Sequence, residues 1–564
     1  MNAMYESVSG YDETTPVLIV GGSLVGLSTS LFLAWHGIPS LLVERHADVS
    51  PHPRAFNFNT RTMELFRSVG AEEAIRGQAP PHFQQSSILR AESLAGQELG
   101  SFSQDTTSSD ISPIPGCIIG QDALEPVLRA KAEELGGDMR FQTELVSFEQ
   151  DATGVSAVIR DCANGTERSV RARYLIAADG NRSTIRQHLG IKTYGPGVFG
   201  HNLSILFSAD VQAPLRGRRI AVCFIHNSSV RQGTSLVFAR NGQGFALFTP
   251  YDPAAGEREE DFAGERGIAL VRSAVGIPNL PVEISHVRAW EVAAWAAERF
   301  QHDNIFLVGD AAHVTPPAGA FGANTGIADA YNLAWKLAFV LNGHAHPSLL
   351  KTYTEERQPV ARYTAEQSFY MFSLSSSSPE AKKNATLILP YNAVAFGYRY
   401  HSATIPSERE DHTWYEDPYH PTGEPGTHAA HVVLEQDGRH LSTLDLFGKA
   451  PVLLLPPDGQ VWSEAACNVA RRLAIPLAIY YIGSRAGFGD VHQRFQEAYG
   501  VRPNGAVLVR PDGFIAWRSK TATAQPEHEL DQALSMLLGW SGQQGVIHHT
   551  PTEDVDGIVI MQHA

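Results

Sequence analysis

Thr15-Pro-Val-Leu-Ile-Val-Gly-Gly-Ser-Leu-Val-Gly26 runs on as Leu27-Ser-Thr-Ser-Leu-Phe-Leu-Ala-Trp-His-Gly-Ile-Pro-Ser-Leu-Leu-Val-Glu44. Val17 to Val20 is a short apolar run, which reads as a parallel strand buried on both faces. Gly21 permits a tight turn, and Gly26 lets the following helix lie against the strand. Leu41 to Val43 is the next strand. It ends at Glu44, about 20 residues beyond the turn, where a carboxylate can bind a ribose hydroxyl. The N–H groups of Ser23, Leu24 and Val25 at the helix start suit a pyrophosphate. Ser23 stands where Gly-x-Gly-x-x-Gly has its middle glycine, and its hydroxyl could donate to phosphate. The implied ligand is a dinucleotide. An ordinary strand-turn-helix makes the same short pattern, so other stretches must decide.

The chain has 564 residues, 43% hydrophobic and 18% charged. At roughly 150 residues per domain this predicts two to four folded domains and excludes global disorder. The formal net charge of −16 repels phosphate backbones and excludes a general nucleic-acid binder. No apolar run approaches the ~18 residues of a membrane span. The N-terminus lacks the regions of a signal peptide. A cytoplasmic protein without membrane partners, monomer or homodimer, is expected. Cys117, Cys162, Cys223 and Cys467 have neither metal-ligand nor CxxC spacing, so reduced thiols and no metal are expected.

After Arg45, Ser50 to Phe66 begins as a proline-stiffened loop and becomes a helix near Thr60. Arg54 in that loop could fork onto phosphate or cover a cofactor ring. Residues 86–114 read as a hairpin excursion. Gly120 to Gly136 is an amphipathic helix, with Gln121 at its start able to reach a pyrophosphate or ribityl chain. A meander follows from Met139. Arg173 to Ala178 is a buried strand that ends in Asp179-Gly180-Asn-Arg-Ser-Thr-Ile-Arg186. Open α/β sheets bind ligands at such strand ends. Between Tyr194 and Trp295 short strands replace helical periodicity, which predicts an antiparallel sheet. The chain returns with Asp303 to Val308, closing on Gly309-Asp310. Then come Pro316-Pro-Ala-Gly-Ala-Phe-Gly-Ala-Asn324 and a helix over 327–341. Beyond Gly426 a separate α/β pattern begins, including a hairpin turning at Asp512-Gly513.

Gly21 to Gly26 with Glu44, Asp179 to Arg186, and Gly309-Asp310 point to the same ligand. Their order and spacing resemble the flavoprotein aromatic hydroxylases, FAD monooxygenases of the p-hydroxybenzoate hydroxylase fold. The likeness covers residues 15 to about 400. The larger members that hydroxylate aromatic polyketides are most similar. The resemblance implies an α/β fold. A Rossmann-like FAD-binding domain would comprise 15–85, 115–193 and 297–400. An antiparallel substrate-binding sheet would comprise 86–114 and 194–296. A linker would span 401–427, a thioredoxin-like domain without CxxC 428–545, and a tail 546–564. It implies that Asp310 binds the ribityl chain, and that Asp179, Gly180, Ser183 and Arg186 serve FAD and NAD(P)H together. Arg45, Arg54 and Gln121 would approach the cofactor. Pro316, Gly319, Gly322, Ala323 and Asn324 would form the loop under the isoalloxazine. His313 would be structural.

The same resemblance implies that NAD(P)H and O₂ yield a flavin C4a-hydroperoxide, which hydroxylates a polycyclic phenolic ring. Phe224, His226, Phe238, Trp290 and Phe321 are candidates for binding that substrate. Tyr251 is a further such candidate and, with Arg399 and Pro316, a candidate for catalysis beside it, Arg399 as the cation for a phenolate. Oxygen insertion beside a ketone, or a non-catalytic FAD-binding assembly role, are the alternatives. Purified protein is expected to be yellow with noncovalent FAD, read from its visible spectrum after denaturation. A colourless chain that takes up no FAD would overturn this.

Overall fold

The computed structural model describes residues 10–49, 55–81, 86–103, 110–238, 245–374, 379–408, 413–483 and 487–540. Five parallel strands form its first layer, in the order Ile305–Leu307, Glu167–Ala177, Glu13–Val20, Ser40–Glu44, Asp138–Phe141. Helices Leu24–Trp35, Gln121–Glu134 and Phe321–Leu341 cover it. That cover explains why these strands are apolar on both faces. Leu18, Leu27, Phe306 and Trp335 are fully buried in the shared core. The expected meander is an antiparallel hairpin, Thr143–Asp151 with Gly154–Asp161, which extends Glu167–Ala177.

The second layer is a sheet in the order His313–Val314, Glu283–Ala297, Thr193–Ser208, Phe245–Pro250, Ser235–Val237, Ile220–Ile225, Ser87–Ala91, Glu98–Ser103. Neighbours are antiparallel except Ile220–Ile225 with Ser87–Ala91, which are parallel. Alternation gives the sheet two faces. Leu203, Ile205, Phe207, Leu236 and Leu247 pack with Val271 and Val275 of helix Glu265–Val275. Leu206, Val222, Val237 and Ala246 form the opposite face, with half-buried Ile88, Phe248 and Phe56. Phe56, from the first layer's connections, packs beside both faces. The edge strand His313–Val314 follows the Gly309–Ala311 turn directly and ties the layers together.

The helix expected from residue 327 begins at Phe321. Gly322 and Gly326 had suggested a loop. A β-carbon on Gly326 would lie 2.7 Å from Val25 Cγ2 and 3.0 Å from Gly309 Cα. The glycine marks close packing inside a helix, not a break.

The C-terminal unit has a sheet in the order Ala478–Tyr481, Val452–Leu455, Ala506–Val509, Ile515–Ser519. The first pair is parallel and the other two are antiparallel. Gly513 takes the left-handed conformation in the turn, φ +78°. Helices Gln460–Leu473 and Pro526–Leu537 cover the face that joins the main core. The segment before it is stitched down on both sides. Arg399 N donates to Trp414 O, and Tyr400 N to Gly426 O.

Where this unit begins, His431 Nδ1 lies 2.7 Å from Ser442 Oγ. Burial lowers the His431 pKa to about 4; Asp445 opposes the shift and Arg494 adds to it. Burial and Arg61 hold His428 well below the ordinary range. These imidazoles are neutral in the fold but take up protons in the unfolded chain below about pH 6.5. Their contribution is therefore complete above that pH and lost as pH falls toward 4. The melting temperature should drop across this window, and His431→Asn should make the drop shallower. An identical profile in the variant would remove His431 from the acid response.

Candidate functional site

Three loops meet at the carboxyl ends of the parallel strands. Gly21 has φ +110°, and a β-carbon there would lie 2.3 Å from Ala178 O. A β-carbon on Gly26 would lie 1.9 Å from Gly21 O, and on Gly309 2.8 Å from Val25 Cγ2. Only glycine allows these approaches. Ser23 N-caps helix Leu24–Trp35 without a side-chain cap bond, and the first turn carries no acidic residue. The first bond along the helix is Leu27 N to Ser23 O. That uncapped, positive helix end fits a pyrophosphate.

Glu44 Oε2 accepts from Gly22 N at 2.7 Å, which holds the carboxylate beside the turn. Arg45 is exposed beside it. The Ser23 hydroxyl differs from expectation. It donates to Glu125 Oε1 at 2.7 Å and accepts from Gln121 Nε2 at 3.1 Å. Gln121 Oε1 also accepts from Ala55 N at 3.3 Å. Gln121 thus braces the loop after Arg54 and does not extend toward a ribityl chain. Arg54 itself lies outside the described residues.

Asp179 Oδ2 accepts from Ile185 N at 3.2 Å, while its buried Oδ1 has no partner among the described residues. An unpaired buried carboxylate oxygen is costly, which suits a ligand donor at this position. Gly180 has φ +83°. Arg186 is only 7% exposed. Its Nη atoms donate to Ala311 O and Asn181 O at 2.8 Å, and its guanidinium lies 4.5 Å from the Trp295 ring centre. It clamps two motifs together. Expected as a cofactor contact, it is corrected to an internal tie.

Asp310 is exposed at the Gly309–Ala311 turn. Gly309 N donates to Asp329 Oδ2 at 3.2 Å, and His313 Nε2 lies 2.6 Å from the same oxygen. Arg357 Nε donates to Asp329 Oδ1 at 2.8 Å. Burial would raise the Asp329 pKa, but His313 and Arg357 outweigh it and hold the carboxyl below its usual range. His313 is fully buried and stacks on Phe300 at 5.9 Å.

The Pro316–Asn324 loop is pinned from behind. Ser368 Oγ contacts Pro316 O at 2.9 Å and Ala318 O at 2.7 Å. Gly319 has φ +78°, with the Phe321 ring 2.4 Å from where its β-carbon would stand. A β-carbon on Gly322 would lie 2.7 Å from Thr315 Oγ1, and Ala323 is half-buried against the core. Ala320 N-caps helix Phe321–Leu341 in the left-handed region without a side-chain cap. Its free turn is a second positive helix end. Asn324 Oδ1 accepts from Asn59 N at 3.0 Å and Thr62 Oγ1 at 2.6 Å. Its Nδ2 donates to Asn57 O at 3.1 Å and Ala320 O at 2.7 Å. The amide is committed to protein, so Asn324 shapes the loop without contacting a ring. Asn59, Thr62, Asp329, Arg357 and Ser368 were not singled out by the sequence reading. Their partners are too distant along the chain to leave a motif.

On the substrate side the sheet separates the candidates. Phe224, Phe248 and Trp290 share the sheet face opposite helix Glu265–Val275. Phe224 is 36% exposed. Trp290 Nε1 donates to Ser204 Oγ at 3.0 Å, and its ring meets Phe248 edge-on at 6.1 Å. Phe238 is a correction: it is 3% exposed in the opposite core, edge-on to Phe245. Tyr251 also packs toward that core, near His201. Burial, Glu259 and Glu291 raise its phenol pKa, so the hydroxyl stays protonated. His226 is exposed at a strand end. Phe321 is 2% exposed and stacks on Tyr391 at 5.3 Å, inside a separate core. Arg399 is a further correction. It forms a buried pair with Glu424 Oε2 at 2.9 Å, so its charge is already balanced.

Among the described residues no helix is long and apolar enough to cross a membrane, and no group of three or more His, Cys, Asp or Glu could hold a metal. Residues 14–368 match the FAD binding domain family, and 422–541 match the aromatic-ring hydroxylase C-terminal family. The chain is 44% identical to 4-methyl-5-nitrocatechol 5-monooxygenase of Burkholderia sp, over 93% of this chain and 98% of that protein. It is 40% identical to tetracenomycin B2 monooxygenase-dioxygenase of Streptomyces olivaceus, over 93% and 98%. A crystal structure of aklavinone-11 hydroxylase with FAD and aklavinone superposes with TM-score 0.88 at 36% identity, covering 94% of this chain and 99% of that one.

Asp310→Ala should weaken FAD binding by about 1.5–3 kcal/mol, the scale of a charge-assisted hydrogen bond, with the melting of the FAD-free protein unchanged. Asn324→Ala should, unlike it, destabilise the FAD-free protein, by on the order of 2–4 kcal/mol, because it orphans buried groups. Flavin fluorescence titration and calorimetry separate the two. Equal effects of both variants on both readouts would refute the assignment.

Proposed function

The chain belongs to the FAD-dependent aromatic hydroxylases; from that premise we propose that it uses NAD(P)H and O₂ to hydroxylate a phenolic ring of a polycyclic, polyketide-type substrate. It is an FAD-dependent monooxygenase. The observation that carries the substrate reading is the aromatic face of the antiparallel sheet, opposite the one that packs on helix Glu265–Val275. Phe224, Phe248 and Trp290, only partly covered beside Leu206, Val222 and Ala246, offer an aromatic wall there. Relatives named as polyketide hydroxylases, and the aklavinone complex, support an extended ring system.

Bound FAD, once reduced, activates O₂ for transfer of an oxygen atom. Gly21 to Gly26, Glu44, Asp179 and Asp310 would hold it. The two uncapped helix ends would favour its negative charge. Phe248 and Trp290 would orient the substrate ring and exclude water. With Arg399 paired elsewhere, the arginines in register on this face among the described residues are Arg90, across from Phe224, and Arg288, across from Ser204. Either could favour a phenolate.

We also read the C-terminal unit as thioredoxin-like. Its parallel pair followed by two antiparallel strands, with helices on the shared face, supports that. Cys467 is its single cysteine, so it has no dithiol.

The experiment measures product and H₂O₂ formed per NAD(P)H consumed with a polycyclic phenol. Trp290→Ala should keep FAD but raise KM and release more H₂O₂. Phe238→Ala should instead lose about 3–5 kcal/mol of stability, as for a core aromatic, with coupling retained. Unchanged coupling in Trp290→Ala would move the substrate off this face.

A further inference from the structure

We propose that the C-terminal unit positions the FAD-binding Gly309-Asp310 turn, acting through Tyr400, Arg357 and Asp329. Phe514 follows the Asp512-Gly513 turn of that unit and stacks on Tyr400 at 4.0 Å and 26°. Tyr400 OH lies 3.0 Å from Arg357 Nη1, to which it offers an acceptor. Arg357 Nε holds Asp329, and Asp329 holds Gly309 N. Arg357 Nη2 also donates to Thr325 O, in the first turns of helix Phe321–Leu341, at 3.1 Å. Phe514, Tyr400, Arg357 and Asp329 are each 2% exposed or less.

A parallel tether fixes the helix that carries Arg357. Its neighbour Glu356 receives Arg510 Nη1 and Nη2 at 2.6 and 2.7 Å, and Lys336 Nζ at 2.7 Å. Arg510 also binds Asp512 and lies 5.2 Å from the Tyr400 ring centre. Dry, charged hydrogen bonds tolerate little displacement, because any shift leaves an ion uncompensated. A movement of the C-terminal hairpin would therefore reach the backbone N–H next to Asp310. Tyr400, Arg357 and Asp329 are buried and act on Gly309 through one another, so they are positioning residues.

The inference rests on FAD binding, and wild-type protein that takes up no FAD would overturn that premise first. The test is a double-mutant cycle on the FAD dissociation constant, since only coupling distinguishes positioning from adhesion. Tyr400→Phe removes the hydroxyl with the ring stack kept. It should weaken FAD binding at least about fivefold, measured by flavin fluorescence far below the melting temperature. Arg510→Lys should act in the same direction. Tyr400→Phe combined with Asp329→Asn should bind FAD no more weakly than the worse single variant. A role confined to stability would lower the melting temperature of the FAD-free protein while leaving the dissociation constant unchanged. That result, or fold-changes that multiply fully in the double variant, would overturn the proposal. Should Asp329→Asn fail to fold, Tyr400→Phe and Arg510→Lys decide alone.

Discussion

One valine side chain sets how close the site's parts can come. Val25, in the first turn after the glycine loop, packs where β-carbons of Gly309 and Gly326 would be, 2.8 and 2.7 Å from its Cγ2. Gly21 meets Ala178 at the end of the strand that leads to Asp179, and Gly26 meets Gly21. Three motifs separated by more than a hundred residues thereby share one contact surface. An added methyl group at any of them would need backbone to move, since packed interiors lack the slack to absorb it. The glycines are spaced as they are because strand ends, helix start and flavin-side helix must touch.

That constraint explains what could be read from the chain. Val17 to Val20, Glu44 and Asp179 announce themselves because local backbone geometry limits the residue types. The sheet was equally legible as alternating strands, but its inward face was not. Both faces are apolar, so alternation assigns Phe238 and Phe248 to sheet positions without saying which one faces the cleft. Phe321 was obscured for a related reason: an aromatic in a glycine-rich loop suits a ring contact or a small core equally well. Arg399 depended on Glu424 and Asn324 on Asn57, Asn59 and Thr62. Partners that meet only after folding leave no spacing to detect.

Polar side chains near the site mostly support other protein groups. Ser23, Gln121 and Arg186 have the chemistry for phosphate, yet each is committed to Glu125, Ala55 or backbone carbonyls. Among the described residues of the three motifs, backbone N–H groups at two helix starts and the Asp179 carboxylate are left for a ligand, and Asp310 is exposed. This division is physically economical in dielectric terms. Backbone dipoles are fixed by the fold and need no reorganisation when a charged ligand arrives, whereas a free arginine would have to be ordered first.

The buried ions of the C-terminal contact follow the same logic. Lys336, Glu356, Arg510 and Asp512 could be replaced by apolar residues with little loss of stability, since desolvation offsets much of their attraction. An apolar contact of equal area would, however, tolerate sliding. Here Glu356 is bound through both oxygens by a guanidinium, and Asp512 receives the same guanidinium together with Asn332. Bidentate pairing fixes direction as well as distance. What the ions add is registry between the hairpin at Gly513 and helix Thr352–Ser373. That helix in turn supplies Arg357 to Asp329 and Ser368 to the loop carbonyls, so registry at one end becomes geometry at the other.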